Sequence, residues 1–165
     1  MNAQSVMMDA RVAHVRELKA EVARLKEENA RLRDASETLA SHIGLAALAL
    51  DDARRLGGGR MIVVDGWNAI LGAQKTARDR QDLEGQMRGH LAAHPDDFVW
   101  IVYDGPRFAS TLEGRLRVSY TGGTGAHRAD RFVCDFLRAA RWAGVRDRID
   151  VRTADRDFLR ETTRI

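Results

Sequence analysis

A seven-residue hydrophobic repeat over the first third of the chain is the feature that most restricts how this sequence can fold. With Val15 at position a, the repeat continues for about six heptads. Apolar residues at this spacing form one stripe along an α-helix, and β-branched residues at a with leucine at d favour a parallel two-stranded coiled coil. The a positions are Met8, Val15, Val22, Asn29, Ser36, Ile43 and Leu50, and the d positions are Leu18, Leu25, Leu32, Leu39, Ala46 and Ala53.

The polar residues of this repeat indicate a homodimer. Asn29 occupies an a position, where an amide would cost free energy in a dry seam of one chain but can pair with its own copy across a two-fold axis. In a parallel pair, Glu21 and Glu28 of one chain face Lys26 and Arg33 of the other. The alternative is a lone amphipathic helix that lies on its own domain.

Three successive glycines at 57–59 are expected to separate two regions, because glycines end helices readily and have no side chains to pack. We expect a coiled-coil dimerisation helix over 1–56, with a homodimer formed through residues 8–53, and a second domain over 60–165. Before the glycines there are 9 basic and 9 acidic residues, and after them 18 and 15. The net charge of +3 therefore belongs to the second region, which is the better candidate for binding an anion.

The second region alternates strand and helix signals. Apolar runs in "RMIVVD" and "DFVWIVYD" suit buried strands, and "RLRVSYT" and "RIDVRT" are shorter strand candidates. Helical spacing follows in "TARDRQDLEGQMRGHLAAH", after the glycine-rich loop "GGTGAH", and from "DRDFLRETT". This order predicts an α/β fold with a mainly parallel sheet flanked by helices, in which ligands bind beyond the carboxyl ends of the strands. The glycine-rich loop matches no phosphate-binding fingerprint, and we interpret it as mobile.

Carboxylates cluster at that edge of the predicted sheet. Asp65 and Asp104 end the first two strands, Asp155 follows the last, and Asp130 lies in the first turn of the helix after the glycine-rich loop. Crowded carboxylates repel one another, and a divalent cation relieves the repulsion. Mg²⁺ or Mn²⁺ suits a set of oxygen ligands without histidine or thiolate.

Each of these side chains also has a structural interpretation. Asp65 and Asp104 can support turns with the glycines that follow them, Asp130 can favour a helix dipole, and Asp155 can cap the last helix. Asn68 can cap the next segment, or it can orient Asp65 and bind a phosphate. The residues alone leave both interpretations open.

Four blocks in this region resemble, in order, the motifs of NYN domains, specifically the YacP-like branch of the PIN-like nuclease fold. "IVVDGWNAI" resembles the opening "VDGYN", "VWIVYDG" the strand ending in "VFD", "GAHRADRFVCDFL" the "TADERIE" helix and "VRTADRDF" the "TSD" segment. The resemblance covers residues 60 to about 160. It implies a metal-dependent ribonuclease with Asp65, Asp130 and Asp155 as metal-binding and catalytic acids, and Asn68 and Asp104 as supporting members.

Departures from the family pattern support a competing interpretation. Arg131 and Cys134 stand where the family usually has acids, and the chain ends ten residues after Asp155, although such domains continue through another strand and helix. We expect either that the sequence is shortened at its carboxyl end or that this version of the domain is minimal. The competing interpretation is a catalytically degenerate RNA-binding or scaffolding protein whose coiled coil recruits partners.

The expected reaction is hydrolysis of RNA phosphodiester bonds, as by an endoribonuclease, with Mg²⁺ or Mn²⁺ polarising the phosphate and activating a water. Basic residues in or beside the loops of the active edge are expected to hold the RNA, although arginines on loops are also often only solvated. These substrate-binding candidates are Arg107, Arg115, Arg117, His127, Arg128 and Arg131. Whether the target is free RNA, a ribosome or another RNA–protein assembly stays open.

The remaining composition indicates a cytoplasmic protein without membrane association. No run of 18 or more apolar residues is present, and the amino terminus lacks the layout of a secretory signal. A single cysteine, Cys134, forms no internal disulfide, in agreement with a reducing compartment.

Overall fold

The structure, a computed structural model, describes residues 3–70, 75–123 and 127–165, with only the backbone described for residues 3–10 and 38. It divides into two compact units, Met1–Glu37 and Thr38–Ile165. The division lies within the first helix, earlier in the chain than the glycines at 57–59. The glycine-rich loop expected to be mobile lies partly outside the described residues. None of the described helices is long and apolar enough to cross a membrane.

In the first unit, helix α1 (Ala3–Arg55) carries the predicted heptad as an uninterrupted helix. The a and d side chains of this unit are about half exposed, for example Val22 at 50% and Leu25 at 47%. Ion pairs along the helix, such as Arg24 with Glu21 at 2.7 Å, stabilise its surface. Within one chain, the apolar stripe over the described side chains of this unit is therefore uncovered.

The second unit contains a five-stranded sheet in the order β3-β4-β2-β1-β5. Strands β1, β2, β4 and β5 are parallel, and β3 pairs antiparallel with β4 at one edge. This confirms an α/β fold with a mainly parallel sheet. The strands are β1 (Met61–Asp65), β2 (Phe98–Tyr103), β3 (Phe108–Glu113), β4 (Leu116–Thr121) and β5 (Ile149–Arg152), and the helices that follow α1 are α2 (Gly66–Ala69), α3 (Ala77–Ala93), α4 (Arg128–Trp142) and α5 (Arg156–Arg164).

Strands β1 and β2 are buried on both faces of the sheet, which explains why they are continuous apolar runs. Alternate residues of β1 point to opposite sides, so that Met61 and Val63 join one core cluster and Ile62 and Val64 the other. The first cluster packs against α4, α5 and the end of α1, and the second packs against α3. Helix α3 begins with a capping box between Thr76 and Asp79.

The end of α1 belongs to this second unit. Leu45, Ala49, Ala53 and Leu56 are buried in the first core cluster. Ala53, the last d residue of the predicted repeat, is fully buried within its own chain. The predicted dimer contact extended to residue 53, but the stripe that a partner could reach ends before that residue.

Candidate active site

Asp65 ends β1 at the carboxyl edge of the sheet and is only 3% exposed. Its Oδ2 accepts hydrogen bonds from Asn68 Nδ2 at 2.7 Å and from Thr153 Oγ1 at 3.0 Å. Its Oδ1 makes a long contact of 3.5 Å with the backbone N–H of Asn68, as a cap of the short helix α2. Asn68 therefore orients Asp65 through its side chain, one of its two proposed roles.

The pKa of Asp65 is raised above its ordinary value, chiefly because burial disfavours the charged form. The negative charge of Asp130 also raises the pKa, whereas the hydrogen bonds from Asn68 and Thr153 lower it. Asp65 and Asp130 are therefore close enough to interact electrostatically. Three or four crowded carboxylates were predicted at this edge, and an electrostatic effect on Asp65 is found for one of them, Asp130.

Asp130 lies in the first turn of α4, and its side chain is 17% exposed. Its Oδ2 is 3.0 Å from Nδ1 of the exposed His127. His127 precedes the helix with a φ of 56°, in the left-handed region. His127 was predicted from the sequence to contact the substrate, and in the structure it lies against Asp130 at the same edge of the sheet.

Asp104 follows β2 and holds the start of α4. Its Oδ1 accepts hydrogen bonds from the backbone N–H of Ala129 at 2.7 Å and from Thr121 Oγ1 at 3.3 Å. Because Ala129 precedes Asp130, this contact helps to position the Asp130 carboxylate. The backbone oxygen of Asp104 accepts a further bond from Trp67 Nε1 at 2.8 Å.

Asp155 follows β5 and caps α5. Its Oδ1 accepts hydrogen bonds from the backbone N–H groups of Asp157 and Phe158, at 2.9 and 3.1 Å. Its own backbone N–H donates to Thr153 Oγ1 at 3.1 Å, and that hydroxyl donates to Asp65. Asp155 therefore has the capping role proposed for it and is linked to Asp65 through Thr153.

The predicted arginines separate into two groups. Arg107 and Arg131 are exposed at the carboxyl edge, and Arg128 packs there against Gly123. Arg115 and Arg117 instead lie at the start of β4, at the opposite edge of the sheet. The structure therefore does not bring these two to the carboxylates.

Arg115 and Arg117 also have partners of their own at that opposite edge. Arg117 is buried and its Nη2 pairs with Asp52 of α1 at 2.7 Å. Arg115 donates from Nη1 to the backbone oxygen of Asp96 at 2.7 Å. Their predicted place in the loops beside Asp65 is wrong, because a strand that the sequence did not reveal, β3, turns back into β4 at this edge.

The donor set allows a limited test of the expected metal. Within the described residues, no group of three or more His, Cys, Asp or Glu side chains is arranged to hold an ion. Asp65 and Asp130 are hard oxygen donors that repel each other, and Mg²⁺ is commonly held by one or two carboxylates together with waters and substrate phosphates. Asp65 and Asp130 supply two such carboxylates, fewer than the three acids that the resemblance implies.

Two hydroxyls of this site, on Thr153 and Thr121, were not identified from the sequence. Each donates to a carboxylate, Thr153 to Asp65 and Thr121 to Asp104. Their only signal in the sequence is that each lies at or just after the end of a predicted strand.

Comparisons of the chain with protein-family models, with curated proteins and with solved structures found no match. The interpretation of this edge therefore depends on its own geometry and on the motif resemblance.

Proposed function

We propose that the second unit is a metal-dependent ribonuclease that hydrolyses RNA phosphodiester bonds at the carboxyl edge of its sheet. The observation that carries this proposal is the placement of two carboxylates from separate elements at one edge of the sheet, Asp65 at the buried end of β1 and Asp130 in the first turn of α4. Such an arrangement costs free energy in the unliganded protein, and it is typical of sites that bind a cation.

Asp65 and Asp130 would hold Mg²⁺ or Mn²⁺ together with waters and substrate oxygens. Asp155 was expected as a third ligand, but its Oδ1 caps α5, and among the described residues no group of three such side chains is arranged to hold an ion. The bound cation would supply positive charge to the scissile phosphate and a more acidic water as nucleophile. Asn68 and Thr153 hold Oδ2 of Asp65, so its orientation is set before a ligand binds. Asp104 in turn holds the start of the helix that carries Asp130.

RNA is the proposed substrate because of the motif resemblance and because basic side chains lie at this edge. Arg107, Arg131 and His127 are exposed there, and the surplus of basic residues lies after residue 59. The proposed compartment is the cytoplasm, since the lone cysteine, Cys134, is free and buried.

The proposal includes a parallel homodimer formed by α1. This proposal is supported by the uncovered heptad stripe. From Val15 to Ile43, every bulky apolar side chain at an a or d position is exposed. Shallow grooves beside Val22 and Leu25 are open to solvent and have the arrangement of holes that take partner side chains. Two linked sites would bind one RNA with a gain in avidity.

A second candidate function is RNA binding without cleavage. Cys134, at a position where the family usually has an acid, is buried in the core, and burial raises the pKa of its thiol to about 12. It therefore supplies no carboxylate oxygen at that position. Arg131 points a cation toward solvent at the other such position.

The test is cleavage of labelled single-stranded and structured RNA with Mg²⁺, Mn²⁺ or EDTA. We expect metal-dependent cleavage by the wild type, and a loss of roughly a hundredfold or more in Asp65→Asn and in Asp130→Asn, because each replaces an anionic ligand of the cation with a neutral amide. Asp135→Asn is the matched control, since Asp135 lies on the same helix but is exposed and paired with Arg138.

Equal activity in Asp65→Asn and the wild type would refute the proposed site. RNA binding without metal-dependent products would instead favour the non-catalytic alternative.

A further inference from the structure

An arginine and three aromatic side chains, Trp67, Arg80, Tyr103 and Tyr120, form a cluster on the α3 side of the sheet, at its carboxyl edge. Tyr103 ends β2 and lies opposite Tyr120 of β4, and their rings stack with centroids 5.4 Å apart. The Trp67 ring meets Tyr103 edge-on at 5.0 Å. We call this group the aromatic–arginine cluster.

Arg80 is held in this cluster by the rings. Its guanidinium carbon is 5.8 Å from the ring centroids of both Trp67 and Tyr120, and its Nη1 donates to the Tyr120 hydroxyl. Within the described part of the chain it forms no ion pair, and the nearby Glu84 pairs with Arg88 instead. Arg80 is therefore a half-buried cation without a counter-ion there.

Two donors in the cluster are buried and unsatisfied. Arg80 Nε and the Tyr103 hydroxyl have no hydrogen-bond partner among the described residues. Tyr103 is fully buried, and its pKa is raised mainly by that burial. A buried donor without a partner costs free energy. Because Tyr103 is fully buried, its hydroxyl is closed to a ligand, whereas the half-buried guanidinium group of Arg80 is the donor that an incoming hydrogen-bond acceptor could reach.

The cluster adjoins the carboxylates. Trp67 follows Asp65 by two residues, and its Nε1 donates to the backbone oxygen of Asp104. Tyr120 directly precedes Thr121, whose hydroxyl donates to the Asp104 carboxylate. An RNA strand bound across the carboxyl edge would thus reach both the aromatic–arginine cluster and the carboxylates.

We infer that the aromatic–arginine cluster binds a phosphodiester group of the RNA strand other than the one that is cut. Arg80 makes the phosphate contact, and Trp67 and Tyr120 hold its guanidinium group in place. A guanidinium is well matched to phosphate oxygens, and its planar face stacks on aromatic rings. The inference rests on the proposed function, which supplies the RNA strand.

The test measures binding of a labelled single-stranded RNA oligonucleotide by fluorescence anisotropy, in EDTA and over a range of salt concentrations. For Arg80→Gln we expect affinity about tenfold weaker at low salt. We also expect the slope of log affinity against log salt to fall by about 0.7, the contribution of one phosphate contact on a single strand. Arg88→Gln is the control on the same helix, because Arg88 is paired with Glu113 and Glu84, and we expect no change in its slope.

Two further variants separate binding from folding. Arg80→Lys keeps the charge and should keep the slope. Tyr120→Phe removes the hydroxyl that holds Nη1 and should weaken binding about threefold even if Arg80→Gln does not fold. Melting temperatures are measured for every variant.

An unchanged slope in folded Arg80→Gln, or wild-type affinity in Tyr120→Phe, would overturn the inference, as would absence of RNA binding by the wild type. Cleavage is measured separately with Mn²⁺. Arg80-dependent binding together with no Asp65-dependent cleavage would refute the ribonuclease proposal and leave the phosphate contact standing.

Discussion

The carboxylate of Asp65 lies where a charge is costly to keep, at the buried end of β1. Burial and the charge of Asp130 both raise its pKa, and two side-chain hydrogen bonds only partly oppose them. Polar groups of this kind are commonly retained at functional sites at the expense of stability. Asp65 is therefore expected to lower the stability of the fold while it supports the proposed activity.

This conflict gives a prediction for Asp65→Asn. Because the pKa of Asp65 is raised in the folded state, the folded state binds the carboxyl proton more tightly than the unfolded state does. The resulting stabilisation of the fold is present at low pH. It is lost as pH rises from the unfolded value, near 3.8, through the higher folded value. Asparagine does not ionise, so the melting temperature of Asp65→Asn relative to wild type should rise between pH 4 and pH 7.

Thermal unfolding of both proteins across this pH range checks the prediction. Asp135→Asn, at an exposed position, serves as the control and should show no comparable trend. A melting-temperature difference that does not change with pH would show that ionisation of Asp65 does not limit stability.

The candidate site could be predicted at the level of carboxylates but not of their partners. Asp65 and Asp104 follow strongly apolar strands, so their place at the carboxyl edge followed from the pattern. Thr153 and Thr121 could not be singled out, because a threonine at the end of a strand is common whether or not it donates to a carboxylate. Their role depends on contacts made only after folding.

Among the elements, β3 was missed for a physical reason. Every residue of β3 is exposed, so the strand shows no alternation of apolar and polar residues. It turns into β4 through Gly114, whose φ of 59° suits glycine. Without this hairpin, Arg115 and Arg117 were assigned to the wrong edge of the sheet. The parallel strands, buried on both faces, were recognisable from their apolar runs.

Helix α1 packs into the core at its end, whereas the apolar stripe of its earlier part is exposed. Leu45, Ala49 and Ala53 pack in the core, while Ile43 is 63% exposed. An ion pair between Asp52 and the buried Arg117 also joins this part of the helix to β4. The small residues here allow close packing of helix and sheet, and the heptad alone did not predict which face would be used.

A prediction follows for this contact between α1 and β4. Asp52→Ala leaves the Arg117 guanidinium buried without a carboxylate, and we expect a loss of about 3 kcal/mol in unfolding free energy. Asp51→Ala is the matched control, because neighbouring Asp51 pairs only with the exposed Arg55 and should change stability by less than about 1 kcal/mol. Denaturant unfolding of the two variants gives the comparison, and equal losses would argue against a structural role for the Asp52–Arg117 pair.

At the scale of the whole molecule, the chain combines a unit with its own core and a helical unit without one. In Met1–Glu37, the described apolar side chains of the stripe remain uncovered, although the ion pairs along the helix are formed. Helices in proteins gain most of their stability from packing an apolar face, and the proposed partner would supply that packing for this unit. Complementary charges beside the stripe favour a second copy in parallel.

The last prediction concerns this second copy. Leu25→Lys places a charge at a d position and should convert the protein from a dimer, near twice 18.5 kDa, into a monomer across micromolar concentrations. Ala20→Lys adds the same charge on the exposed face at position f and should leave the dimer intact. Light scattering and sedimentation equilibrium measure the mass, and circular dichroism at 222 nm should show helix loss only in Leu25→Lys, because a single copy leaves the stripe in water. A monomeric wild type, or equal masses for the two variants, would contradict dimerisation through this stripe.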